Sequence, residues 1–274
     1  MTDIKTLDYS GLKDYEDCPQ RFLWSRIEKR KPKIPENAYY WICGTVKQKM
    51  FELFVNERWY LKGKDCVPFM ESMAPKLFED TLKWAKVDWS ASYAKLTKED
   101  MIQEVKKGVK DGIKIIKDHR LISAASKSEI KLTANINNWF SLVGKVDFII
   151  KHNDTNESII VDGKDTVDSA KMPSVDPRQL WIYSLLHQRN YGDYPNKLGF
   201  LFWRHDTVLY YDAKEGIEAV TEWAKKSFWD IKKDKFEPKP SQSACFFCKY
   251  KNECDAYKTE SELLNIPEGD EITF

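Results

Sequence analysis

Apolar residues fall at helical spacing through roughly the first 120 positions, and the period then shortens to that of strands. Ser10 is a candidate N-cap for a short helix with Leu12 and Tyr15 on one face, and Pro19 opens a second with Phe22 and Leu23 apolar. A longer helix is predicted over residues 39–55, where Ile42, Val46, Met50 and Leu53 recur at helical spacing. Two more are predicted over 74–87 and 98–119. The second carries Lys106, Lys107, Lys110, Lys114 and Lys117, so one of its faces is basic. Residues 128–133, 140–150 and 158–162 alternate or run apolar over short lengths and read as strands. The polar turn at 153–156 joins the last two as a hairpin. A helix over 177–189, strands over 197–203 and 207–211, and a helix over 215–234 follow, before Pro238 and Pro240 break into a cysteine-rich loop. This order predicts an α/β fold: a mixed central sheet flanked by helices, with a helical N-terminal lobe.

Composition narrows the partners. The chain has 274 residues, 42% hydrophobic and 14% aromatic, enough for a packed core. Charged residues make up 32%, yet the formal net charge is +1. A chain so balanced would meet nucleic acid through local basic patches offset by acidic residues elsewhere. No apolar run approaches the roughly 18–20 residues that span a bilayer, and the first residues lead into no signal-like stretch. The expectation is a cytoplasmic protein without membrane contact, its thiols reduced. Its six cysteines then suggest a metal site or buried thiols before disulfides. The absence of a P-loop glycine pattern argues against a built-in motor, and the four histidines show no ligand-like spacing.

The candidate chemistry lies in Gly144-Lys145-Val146-Asp147 and Val161-Asp162-Gly163-Lys164. Asp162 and Lys164 are two apart on one strand and share a face, and the hairpin brings Asp147 toward it. Paired carboxylates suit hard cations such as Mg²⁺ or Mn²⁺, which polarise a phosphodiester and acidify a bound water. A nearby ammonium would orient that water or stabilise charge on phosphorus. The same residues also fit a solvated hairpin end with a surface ion pair. Gln179 and Tyr183 are four apart on the next helix and share a face, which fits either a functional pair or a core tyrosine beside a solvated amide.

Cys245, Cys248 and Cys254 cluster after the prolines, and Cys18 stands beside Pro19 at the other end of the chain. Four thiolates suit an iron–sulfur cluster or tetrahedral zinc, and spacing does not separate the two. Cys43 and Cys66 have no such neighbours and read as ordinary small residues.

Taken in order, these residues resemble the RecB-like branch of the PD-(D/E)XK nuclease superfamily. Within it they resemble the iron–sulfur members, such as the AddB nuclease domain and the CRISPR-associated RecB-like exonuclease. The resemblance runs over nearly the whole chain. Ser10-x-Leu12-x2-Tyr15-x2-Cys18-Pro19-x2-Phe22 is similar to the first-cysteine motif, and Glu129 to an acidic position before the active-site hairpin. Asp147 stands in a Gly-x-Val-Asp context, Asp162 and Lys164 form the Asp-x-Lys pair, and Gln179-x3-Tyr183 is similar to a helix motif that positions DNA. Two residues depart from the pattern. Gln48 stands where the family's Gly-x3-His places a metal-binding histidine, which weakens that ligand. Gly163 fills a position usually held by a larger residue, which loosens the strand.

The resemblance implies a restriction-endonuclease-like single nuclease domain over residues 1–274. Its helical lobe would cover about 1–120, its catalytic core about 121–235, and its cluster loop and tail about 236–274. It implies a metal-dependent DNA exonuclease acting on single strands or ends, 5′→3′ by family habit. Asp147, Asp162 and Lys164 would be catalytic, and Gln179 and Tyr183 would position DNA. Asp147 and Asp162 would hold Mg²⁺ or Mn²⁺, with Gln48 and Glu129 as further candidate ligands. Cys18, Cys245, Cys248 and Cys254 would hold a [4Fe–4S] cluster of structural role. Homo-oligomers and recombination or CRISPR proteins are compatible partners, and a chain without a motor fits a phage or CRISPR setting better than a RecBCD-type subunit. The alternatives are a catalytically weak DNA-end-binding subunit of a larger complex, or a zinc-stabilised DNA-binding protein.

Overall fold

The change of period falls at Lys127, and the computed structural model follows it. The structure describes residues 4–31, 38–61, 66–83, 97–123, 125–152, 154–164, 169–246 and 248–264. A short strand β1 (Thr6–Leu7) precedes helices α1 (Tyr9–Asp17), α2 (Pro19–Phe22), α3 (Ala38–Asn56), α4 (Val67–Leu82) and α5 (Lys98–Asp118). Strands β2 (Lys127–Asn135), β3 (Ser141–His152) and β4 (Glu157–Lys164) come next, then α6 (Arg178–Tyr191), β5 (Lys197–Phe202) and β6 (Thr207–Tyr211). Helices α7 (Ile217–Lys232), α8 (Gln242–Phe246) and α9 (Asp255–Leu264) complete the described chain. The fold is α/β with a mixed sheet flanked by helices, as expected. Two compact units can be separated: Met1–Pro35 with Thr133–Val143 and Glu218–Phe274, and Glu36–Leu132 with Gly144–Ile217.

In the second unit, β3 and β4 pair antiparallel from His152↔Glu157 to Phe148↔Val161. β4 pairs parallel with β5, from Ile159↔Lys197 to Lys164↔Phe202, and β5 pairs antiparallel with β6. A parallel step needs a crossover, and α6 supplies it. Strand alternation sorts the side chains. Phe148, Ile150, Ile159, Val161, Leu201 and Trp203 join the buried apolar faces of α3, α4 and α5. Ile160, Asp162 and Lys164 take the other parity on β4, the strand against which α6 packs. Helix α5 opens on a capping box between Thr97 and Asp100, which fixes its start in the sequence.

In the first unit, β1 pairs parallel with the start of β3, Thr6↔Ser141 and Leu7↔Leu142. Its N-terminal helices are tied to the C-terminal segment by long-range hydrogen bonds. Tyr15 Oη donates to the Lys235 carbonyl (2.8 Å), Arg21 Nη1 to that of Ala244 (3.2 Å) and Tyr250 Oη to that of Arg30 (3.1 Å). Tyr250 is fully buried and meets the Trp24 ring edge-on.

Three local expectations change. The N-cap of α1 is Asp8, whose Oδ1 accepts from the Gly11 N–H at 2.6 Å, so Ser10 lies inside the helix. Helix α4 begins at Val67 with Pro68 in its first turn and carries Pro75 in its interior; its start lies upstream of the expected 74. The predicted end at 87 lies outside the described residues. Finally, β4 is not loosened at Gly163, because the Trp203 indole fills the space: a Cβ there would come within 2.5 Å of the ring. Among the described residues, no helix is long and apolar enough to cross a membrane.

Candidate active site

The site forms where the β3–β4 ladder stops. Beyond Phe148↔Val161 the Gly163 N–H donates to Asp147 Oδ2 (2.9 Å), so a side-chain oxygen stands in for a strand carbonyl. This anchors Asp147 close to Asp162. Burial, and then the Asp162 charge, push the Asp147 carboxyl from its ordinary 3.8 up to about 8. Asp162 is 2% exposed, and burial pushes its carboxyl upward too.

Asp162 is held from α6. Gln179 Nε2 donates to Asp162 Oδ1 (2.8 Å), and Gln179 Oε1 accepts from Lys164 Nζ (2.8 Å). The Tyr183 hydroxyl also hydrogen-bonds Asp162 and lies 2.9 Å from Gln179 Nε2. Lys164 Nζ stands 2.6 Å from Asp162 Oδ2, at ion-pair distance, but this oxygen has no aligned hydrogen-bond donor. Gln179 and Tyr183, expected to face DNA, thus sit in the hydrogen-bond network of Asp162 and Lys164.

Asp147 faces a cavity of about 150 Å³ that is also lined by Gly44, Lys47, Gln48, Glu129 and Trp203. Gln48 Nε2 donates to Glu129 Oε1 (2.8 Å) and Asp147 Oδ1 (3.2 Å). Glu129 lies within β2 in left-handed conformation (φ 57°), a costly backbone state for a non-glycine residue and one that recurs at functional sites. Its Oε2 pairs with Lys145 yet is buried without an aligned donor.

These donors fit a hard divalent cation. Two buried carboxylates repel each other and resist ionisation, and Asp162 Oδ2 and Glu129 Oε2 have unfilled acceptor capacity. Among the described residues, no three His, Cys, Asp or Glu side chains gather into a ready cage. Mg²⁺ does not need one, since one or two carboxylates, water and substrate phosphate complete its octahedron.

Two lining residues were not marked by sequence patterning. Lys47 is 1% exposed and pairs with Glu104 (3.0 Å), which also takes Arg204 (2.6 Å). Trp203 stacks on Phe51 with ring centroids 4.0 Å apart. The available signal was Gly108 and Gly112, four apart on α5: a Cβ at the first would meet Lys47, and at the second Phe51 and Trp203.

The four cysteines of the first unit, Cys18, Cys245, Cys248 and Cys254, line one small cavity with Gln20, Arg21 and Trp24. None forms a disulfide, and burial pushes the Cys245 and Cys248 thiols up. Among the described residues, they do not form a group that could hold a single metal ion as placed.

A mixed sheet whose central hairpin ends in two interacting carboxylates and a lysine defines an α/β protein with a candidate acidic site. The chain belongs to the PD-(D/E)XK nuclease superfamily, whose family model matches residues 6–255. Superfamily members hydrolyse phosphodiester bonds in nucleic acids, typically with Mg²⁺ or Mn²⁺, so membership implies metal-dependent nuclease activity with DNA as substrate. The chain is also similar to the crystal structure of SSO0001, at 14% identity and a TM-score of 0.44, covering 94% of this chain and 89% of that one. None of the curated proteins matches it.

Proposed function

We propose that this chain is an iron–sulfur nuclease of the RecB-like branch that degrades DNA from single strands or ends, 5′→3′. The observation that carries the reading is the meeting of Asp147, Asp162 and Lys164 where the β3–β4 pairing ends. Asp147 and Asp162 hold the cation, with Gln48 and Glu129 beside them. The bound cation supplies Lewis acidity and a water of lowered pKa. Lys164 presents an ammonium to the attacking water and to the charge that builds on phosphorus. Gln179 fixes Lys164 relative to Asp162, and Tyr183 favours the charged form of Asp162 by donating to it. DNA processing, recombination and CRISPR adaptation are the settings this chemistry suits.

Cys18, Cys245, Cys248 and Cys254 hold the [4Fe–4S] cluster in this reading. Their lining of one cavity supports a shared site, and the choice of a cluster over zinc rests on the resemblance to the iron–sulfur members. A second reading, a DNA-end-binding subunit of low activity, is favoured by one contact: the Gln48 amide group lies between Asp147 and Glu129, where a cation would otherwise meet both.

The test is Mn²⁺-dependent cleavage of 5′- and 3′-labelled single-stranded DNA by the wild type and by Asp147→Ala, Asp162→Ala and Lys164→Ala, with circular dichroism to show folding. Each substitution is expected to cost about 10²–10³-fold or more in rate. Folded aspartate variants that cut at the wild-type rate would refute the site. A wild type inactive with both Mg²⁺ and Mn²⁺, its cluster intact, would establish the binding subunit instead.

A further inference from the structure

Two aromatic dipeptides in the first unit mirror each other: Trp139-Phe140 at the β2–β3 turn and Phe228-Trp229 on α7. The phenylalanines do the packing. Phe140 and Phe228 are buried and stacked, with ring centroids 4.5 Å apart and planes 13° from parallel. The tryptophans remain outside. Trp139 is 65% exposed and Trp229 43%, and their rings meet at 6.1 Å and 60°. The contact is edge-to-face, and more than two-fifths of each tryptophan remains exposed.

The turn that carries Trp139 is held in one shape. Asn137 Oδ1 accepts from the Trp139 N–H (2.8 Å) and the Phe140 N–H (3.1 Å), and the Ile136 N–H donates to the Phe140 carbonyl (3.1 Å). Trp139 is therefore presented by an ordered loop pinned through Phe140. Charge surrounds the pair. Lys226 and Trp229 lie three apart on α7 and share a face, and Lys233, the first residue beyond the helix, continues its last turn by donating its N–H to the Trp229 carbonyl (3.1 Å). Both lysines are exposed, and neither makes an ion pair with a described residue. The nearby acid Asp230 is paired with Lys235 (2.8 Å).

Rigid exposed indoles flanked by cations fit single-stranded nucleic acid. Every base offers a π-face for stacking, and phosphates find the ammonium groups. A protein partner would need apolar area, but lysines border this patch and its apolar residues are already stacked beneath. We propose that Trp139 and Trp229, with Lys226 and Lys233, form a base-stacking platform for single-stranded DNA. The inference rests on the nuclease reading for the identity of the ligand and adds a binding site outside the cleavage site.

The test measures anisotropy of a labelled oligothymidylate with the full chain in EDTA, where no cleavage occurs, alongside quenching of tryptophan fluorescence. Trp139→Ala and Trp229→Ala are expected to weaken binding about 5- to 100-fold. Phe at either position should retain most of the affinity and Leu should not, because Leu keeps apolar area without a π-face. Lys226→Glu with Lys233→Glu should lower the slope of log Kd against log salt by about 1.4. Unchanged binding in the tryptophan variants would overturn the proposal, as would equal retention by Phe and Leu, the pattern of an apolar protein-docking patch. If the wild type cuts with Mn²⁺ while the tryptophan variants bind normally, the platform falls and the nuclease stands. If tryptophan-dependent binding persists in a protein that never cuts, the nuclease reading falls and the platform stands.

Discussion

The backbone N–H of Gly163 lies 2.9 Å from Asp147 Oδ2, and the side without a Cβ faces the Trp203 indole. One residue thus orients a candidate cation ligand and leaves room for a core aromatic ring. That ring cannot easily yield, since it stacks on Phe51 and meets Phe148 edge-on. Gly163→Ala is therefore expected to destabilise the fold by about 1–3 kcal/mol through overpacking and to reduce cleavage by displacing Asp147. In a Trp203→Leu background the same change should cost much less. Urea unfolding of the four members of this double-mutant cycle measures the coupling. Additive effects would show that the contact is not the reason for glycine.

The raised carboxyl of Asp147 sets a pH dependence. Unfolded, this group loses its proton near pH 3.8; in the metal-free fold it holds the proton up to about 8. The unfolded chain thus binds fewer protons between those limits, and the stability contributed by the protonated group is present at low pH and lost as pH rises toward 8. A bound cation replaces that proton. Mg²⁺ or Mn²⁺ is expected to bind more tightly as pH rises to about 8, and its effect on thermal stability to grow over the same range. Asp147→Asn should flatten the metal-free profile. Melting curves with EDTA and with Mn²⁺ across this range are the check.

Much of this arrangement is legible in the sequence because it follows short periods. Asp162 and Lys164 share a face by strand alternation, and Gln179 and Tyr183 by helical spacing, so each pair is visible within a few residues. The α/β order is visible for the same reason. Contacts between distant segments are not. Nothing near Gly163 announces that Trp203, forty positions on, covers it, and Lys47 reads as one more surface lysine until Gly108 is seen to accommodate it. Pro75 looks like a boundary, yet the helix continues through it. Asp8 displaces Ser10 as the cap because either can accept a hydrogen bond, and only the backbone path decides between them.

Gln48 bridges Glu129 and Asp147 through its amide nitrogen. An amide that donates to both carboxylates competes with a cation for them. Gln48→His places an imidazole nitrogen there and is expected to raise Mn²⁺ affinity or cleavage rate. Gln48→Ala removes the bridge and leaves Glu129 and Asp147 to repel each other, so it should lower the stability of the metal-free protein and tighten Mn²⁺ binding. Calorimetric titration with Mn²⁺ separates affinity from rate. Two variants indistinguishable from wild type would place Gln48 outside the site's chemistry.

Cys18 and the C-terminal cysteines line one cavity, but hydrogen bonds from Tyr15, Arg21 and Tyr250 already join the same segments. The proposed cluster would add a second tie to a connection that exists. Cys18→Ser is expected to abolish iron binding and the broad absorbance near ~400 nm, and to lower stability, while the protein retains its secondary structure. Cys248→Ser should match it in iron loss. Iron retained by the Cys18 variant, or stoichiometric zinc in the anaerobically purified wild type, would reject the cluster assignment.

Gln179 joins Asp162 to Lys164 with one amide, donating to the carboxylate and accepting from the ammonium. Gln179→Ala removes the acceptor that holds the ammonium from its other side and leaves it to Asp162 Oδ2, already 2.6 Å away. A lysine so paired is withdrawn from water and phosphate. The rate is expected to fall about 10- to 100-fold, less than on loss of Lys164 itself, with Mn²⁺ affinity nearly unchanged. Tyr183→Phe acts on the other partner. Its hydroxyl lowers the Asp162 pKa by favouring the charged carboxylate, so its removal should raise that pKa further. The acid limb of the rate profile should then move to higher pH, with the plateau rate little affected. Single-turnover cleavage across pH distinguishes the two variants: a uniform loss for Gln179→Ala and a displaced limb for Tyr183→Phe. If both instead weaken DNA binding with no change in the chemical step, α6 acts on the substrate directly and not through Asp162 and Lys164.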